Sequence, residues 1–149
     1  MELTIEEALQ RGVVAHKEGK LQEAEKFYRG ILGVQPNHPD ANHNLGVLAV
    51  GVGQVEASLP HFKLALEVNA SQGQYWLSYI DALIKLDRLD DARQLLKRGK
   101  DAGLKGEQVD KISTQLAIGT LPPANGALPK QKRIEALISL YIYALERSI

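Results

Sequence analysis

Histidines are the residues here most able to do chemistry, and three of the four, His38, His43 and His61, fall close together in the chain. Imidazole nitrogens are common metal ligands, but no two of these rings stand four residues apart, the spacing that would put both on one helix face. The chain has no cysteine, so no thiolate can complete such a site. The histidines therefore read as solvated polar side chains, with no metal and no cofactor expected. The paired carboxylates of Asp90 and Asp91 precede an apolar-periodic run, where a helix N-terminus favours negative charge. Arg93, Lys97, Arg98 and Lys100 form a basic cluster, yet Asp87, Asp90, Asp91 and Asp101 are interleaved with it and no aromatic platform accompanies it. A solvated outer face accounts for that pattern better than nucleic-acid binding. Phosphate loops, nucleophile elbows and HExxH sequences are absent, and no catalytic residue is expected.

Composition narrows the class further. The 149 residues are 44% hydrophobic and 5% aromatic, with equal numbers of basic and acidic side chains, 18 of each. Abundant Ala and Leu with few rings suits helix packed on helix, and zero net charge supplies no field to recruit nucleic acid or an anionic membrane. Residues 1–72 carry nine acidic and six basic side chains, and residues 73–149 carry nine and twelve, which leaves only a weak axial dipole. The start MELTIEEALQ lacks the basic and apolar regions of a signal peptide, and no apolar run is long enough to span a bilayer. A cytoplasmic location is expected.

The elements that would position any site follow from a repeat. Gly19 and Gly53 lie 34 residues apart, and the same interval relates Leu21, Val55 and Leu89, then Ala24, Ser58 and Ala92, then Tyr28, Phe62 and Leu96. A period of this length with small residues at fixed offsets describes two antiparallel helices per unit, neither able to bury its apolar face alone, so that units must stack. In the central unit Leu45, Gly46 and Ala49 give the first helix a seam of one large and two small side chains. Ser58, Phe62 and Ala65 share one face of the second helix and turn it onto that seam. Thr4 and Glu7 predict a capping box, Asp40 is placed to cap the third helix, and Pro60 predicts a local kink.

These residues resemble the tetratricopeptide repeat, whose unit reads roughly W-x2-L-G-x2-Y, then A-x3-F, then P. Gly12, Ala15, Gly19, Ala24, Tyr28 and Pro36 carry the likeness in the first unit, and Trp76, Leu83, Leu89, Ala92 and Leu96 in the third. Asp87 departs from it where Gly19 and Gly53 stand, and Ala70 and Leu104 replace Pro36. The resemblance implies an all-α, right-handed α-solenoid of stacked antiparallel helix pairs with additional C-terminal helices. Its units would span 5–38, 39–72 and 73–106, with a capping helix at about 107–118 completing a stack over residues 1–118. Residues 119–130, with three prolines and two glycines, read as a linker, and 131–149 as an apolar helix. Ile134, Leu137, Ile138, Tyr141 and Leu145 lie on one stripe of that helix, which is expected to be buried, one face on the stack and the other in a homodimer contact or, in a longer parent protein, against the next domain.

In this family the first helix of each pair lines a concave groove. Carried onto this chain, the lining is Leu9, Val13, His16 and Lys17; His43, Asn44, Val47 and Val50; and Leu77, Ser78, Asp81, Ile84 and Lys85. The ligand-binding residues expected among them are His16, Lys17, His43, Asn44, Val47, Ser78, Asp81 and Lys85. Such a mixed lining suits an extended peptide or an amphipathic helix, which makes the expected role a non-catalytic protein–protein interaction module. At the positions where some members clamp a terminal carboxylate, this chain has Leu9, Val13, Asn44, Gln74 and Ser78, so only Asn44 is retained. Asn44-Leu45-Gly46 also resembles the asparagine-bearing units attached to O-linked N-acetylglucosamine transferases. The alternative role is an accessory domain, similar to the bacterial repeat regions found alone or ahead of glycosyltransferase, sulfotransferase or methyltransferase domains.

Overall fold

The computed structural model describes residues 2–118 together with 138, 141 and 142. Among the described residues there are seven helices and no strand: α1 (Ile5–Lys17), α2 (Leu21–Val34), α3 (Pro39–Gly51), α4 (Val55–Val68), α5 (Gly73–Lys85), α6 (Leu89–Asp101) and α7 (Glu107–Ile118). Two compact units are present, Met1–Leu104 and Lys105–Ile149. Within the first, α1 pairs with α2, α3 with α4 and α5 with α6, and each pair packs on the next to form an α-solenoid.

The turn inside each pair recurs once more after α6. The backbone N–H of Lys20, Gln54, Arg88 and Leu104 donates to the carbonyl five residues earlier, at 2.8–2.9 Å, and the N–H just before each donates to the carbonyl three residues back. This double bond pattern is a Schellman motif, which puts one residue in left-handed backbone. Gly19, Gly53 and Gly103 take that place with φ of 77°, 83° and 103°, and Asp87 takes it with φ 58°. Asp87 thus does the work of glycine at the helix-to-helix turn, which its short side chain allows.

The seam inside each pair depends on size. A Cβ at Gly46 would lie 2.5 Å from Phe62 Cε1, and one at Gly12 2.7 Å from Tyr28 Cε1. Only a missing side chain lets those rings, both fully buried, seat against the first helix. In the third pair the equivalent positions hold Ile80 and Leu96, also buried, so a medium-sized pair replaces glycine and ring. Ala24, Leu45, Gly46, Phe62, Ala65, Trp76 and Ala92 all lie in the interior, as the repeat register requires.

Local expectations fared unevenly. Thr4 Oγ accepts from the Glu7 amide at 3.1 Å, forming the first half of the capping box. The cap of α3 is His38, not Asp40: His38 Nδ1 accepts from the Ala41 amide at 3.1 Å, with Pro39 in the first helical position. Proline there has already fixed where the helix starts, which puts Asp40 inside it. Helix α4 continues from Val55 to Val68 through Pro60, which removes one intrahelical bond to Glu56 at a place where both residues are exposed.

In the second unit, Val109 and Leu116 of α7 are buried and Ile112 is half-buried, which marks one apolar face. Ile138, Tyr141 and Ile142 are helical and 52%, 67% and 48% exposed. The remainder of the 131–149 expectation, and the 119–130 linker, lie outside the described residues. No helix among the described residues is long and apolar enough to cross a membrane.

Candidate functional site

The first helices of successive pairs run side by side, α1 touching α3 and α3 touching α5. Gly12 and Gly46 face the second helices, and Ile80 takes the equivalent place in α5. Leu9 and Val13 on α1, Val47 and Val50 on α3, and Leu77 and Ile84 on α5 are all only half-buried. Lys17, Asp81 and Lys85 are exposed, and Lys85 Nζ pairs with Asp81 Oδ2 at 2.6 Å. His16 is half-buried against Tyr28, with Nδ1 3.4 Å from the phenol oxygen.

The centre of this row is polar and internally bonded. His43 is buried, 8% exposed, with its ring between Phe62 and Tyr75 at centroid distances of 5.7 and 4.8 Å. Its Nδ1 lies 3.3 Å from Asn44 Oδ1 and its Nε2 2.8 Å from Ser78 Oγ. Gln74 Nε2 donates to the same Ser78 oxygen at 3.3 Å. The carboxamide oxygen of Asn44 can only accept, so Nδ1 carries the ring proton; the neutral ring then accepts at Nε2 from the Ser78 hydroxyl. Burial holds the His43 ring below its ordinary pKa, opposed by the Asn44 bond and the charge of Asp40. Beside this chain the Tyr75 hydroxyl donates to Asp40 Oδ1, and burial followed by that bond and charge pushes the phenol well above its ordinary pKa.

The histidines are therefore not the solvated side chains that the sequence suggests. His38 caps α3, His43 bridges α3 to α5, and His61 Nδ1 lies 3.1 Å from Asn42 Oδ1. Burial, then the nearby Arg29 charge, lowers the pKa of His61. No group of three potential metal ligands occurs among the described residues. Of the expected binding residues, the structure joins His43, Asn44 and Ser78 in one hydrogen-bonded chain and pairs Asp81 with Lys85; it gives no direct bond between these two groups or from either to His16, Lys17 or Val47. Tyr75 is absent from the expected residues, Asp40 is expected only as a cap, and Gln74 only at a clamp position that departs from the family. A signal for them existed, since His43–Ser78 and Asp40–Tyr75 are both 35 residues apart, one repeat period plus one position.

Two family models, each described as tetratricopeptide repeat, match residues 8–38 and 43–104. No curated protein matches the chain. Among solved structures, the first such domain of Spaghetti (RPAP3) bound to the HSP90 peptide SRMEEVD is 21% identical, with a TM-score of 0.65 over 74% of this chain and 90% of that one. The Yersinia enterocolitica type III secretion chaperone SycD, in complex with a peptide of the translocator YopD, is 14% identical at a TM-score of 0.66, over 79% and 90%. MamA from Desulfovibrio magneticus RS-1 is 17% identical at 0.69, over 97% and 77%. Likeness at these identities concerns the fold.

Proposed function

Residues between 8 and 104 of the chain are built of tetratricopeptide repeats, and from that premise we propose that the protein is a non-catalytic binding module that takes a peptide segment of a partner protein along α1, α3 and α5. The observation that carries this reading is the row Leu9, Val13, Val47, Val50, Leu77 and Ile84, none of which is fully covered by the fold. Half-open apolar side chains flanked by His16, Lys17, Asn44, Ser78, Asp81 and Lys85 supply area for affinity and polar groups for register. Two solved structures of the same fold hold a peptide, which agrees with this use of the repeats.

Selection of a random displayed-peptide library on the purified chain tests the proposal. Peptides enriched on the wild-type protein should lose binding to Val47→Asp, which puts a charge in the middle of the row, while α-helical content is unchanged. Peptides that bind both proteins equally, or no enrichment at all, would rule this surface out.

A further inference from the structure

Asn44 is half-buried, and its carboxamide oxygen is committed to His43, while Nδ2 has no hydrogen-bond partner among the described residues. The ring that holds the oxygen is itself fixed. Phe62 and Tyr75 set its plane, the Ser78 hydroxyl occupies Nε2, and Gln74 occupies the Ser78 oxygen. Read from one end, the hydrogen bonds all point the same way: Gln74 N–H to Ser78 oxygen, Ser78 O–H to His43 Nε2, His43 Nδ1–H to Asn44 oxygen. We propose that Gln74, Ser78 and His43 are positioning residues for Asn44, locking its amide so that only N–H donors face a bound chain. The opposite ring tautomer would turn the amide over and present an acceptor instead. A carboxamide held this way selects ligands that offer an oxygen, and in an extended peptide the main-chain carbonyl offers one whatever the side chains.

The relay belongs to one place in the stack. One period earlier the positions of His43 and Ser78 hold Leu9 and Asn44, and the position of Asn44 holds Gln10. No ring stands behind Gln10 to orient it. The fixed donor therefore sits between the second and third helix pairs, and peptide register would be set there. His43 and Ser78, though on the binding side, act through Asn44 and need not touch the ligand.

This inference rests on the peptide-binding reading, but its first test needs no ligand. Nitrogen-15 spectra of the full chain above pH 7 should show the His43 proton on Nδ1 and one fixed pair of Asn44 amide signals. Ser78→Ala should move the ring toward the Nε2–H tautomer and shift the Asn44 amide, and Ser78→Thr, which keeps the hydroxyl, should restore both. A residue that merely fills space would leave the tautomer unchanged. An Nε2–H ring in the wild-type protein, or an Asn44 amide indifferent to Ser78→Ala, would overturn the relay. With a peptide recovered from the library, Asn44→Asp and Ser78→Ala should each weaken binding up to roughly tenfold, the size expected for one neutral hydrogen bond. Unchanged affinity in both variants would overturn the role in recognition. A library that yields no peptide counts against the binding reading alone, because the spectra decide the relay separately.

Discussion

Asn42 Nδ2 donates to the Pro36 carbonyl at 3.1 Å, and Trp76 Nε1 donates to the Ala70 carbonyl at 2.9 Å; both donors and both acceptors are exactly one period apart. Two chemically different side chains thus tie the start of one helix pair to the end of the pair before. Asn42 also donates to the His38 carbonyl at 3.0 Å and lies against His61, so its carboxamide is fully used in a buried position.

Asn42→Ala is therefore expected to lower stability by about 1–3 kcal/mol, since it removes bonds from groups that cannot all reach water. Urea unfolding followed by circular dichroism measures this. A variant as stable as the parent would mean that water replaces the amide at no cost.

The Gly46–Phe62 contact gives a second expectation. Gly46→Ala forces a methyl group to within 2.5 Å of the ring and should cost about 1–3 kcal/mol. Combining it with Phe62→Leu, by analogy with Ile80 and Leu96 in the third pair, should cost less than the two single changes added. Strict additivity in that double-mutant cycle would show that the two sites do not share one seam.

Acidity should act through His43 and His61. Burial lowers both rings below the ordinary 6.5 of a histidine in the unfolded chain, so between the two values the unfolded chain binds more protons. Stability is then full above 6.5 and is lost as pH falls through that value toward the folded-state pKa. The thermal midpoint should drop between pH 7.5 and 5, and His43→Gln should reduce the slope. A midpoint independent of pH across this range would contradict the burial of both rings.

Much of this architecture was legible because it is written in residue size at a fixed period. Gly12, Gly46, Tyr28 and Phe62 announce a seam by size and spacing alone, and Gly19 and Gly53 announce the turns. Asp87 broke the glycine pattern yet kept the turn, because left-handed backbone is tolerated by a short polar side chain as well as by glycine. The polar interior was far less legible. Whether a histidine is solvated or buried depends on which residue faces it one pair later, and a single ring carries no mark of that. His38 was passed over as a cap because Asp40 is the commoner capping type, although Pro39 already fixed the helix start. The half-open apolar row was legible only through the family likeness, since partial burial cannot be told from full burial by hydrophobic spacing.

The bonds from His43 to Ser78 and from Asp40 to Tyr75 also carry information about order. Apolar faces of successive pairs resemble one another, so size alone does not distinguish the third pair from a first pair of another copy set in its place against the second. In such a swap the partners of His43 and Asp40 would be Gln10 and Glu7, the residues that occupy the Ser78 and Tyr75 positions in the first pair. Asp40 would then meet a like charge, and His43 would lose its hydroxyl. The two polar bonds therefore distinguish the chain's own third pair from a first pair set in its place, which apolar size alone does not do.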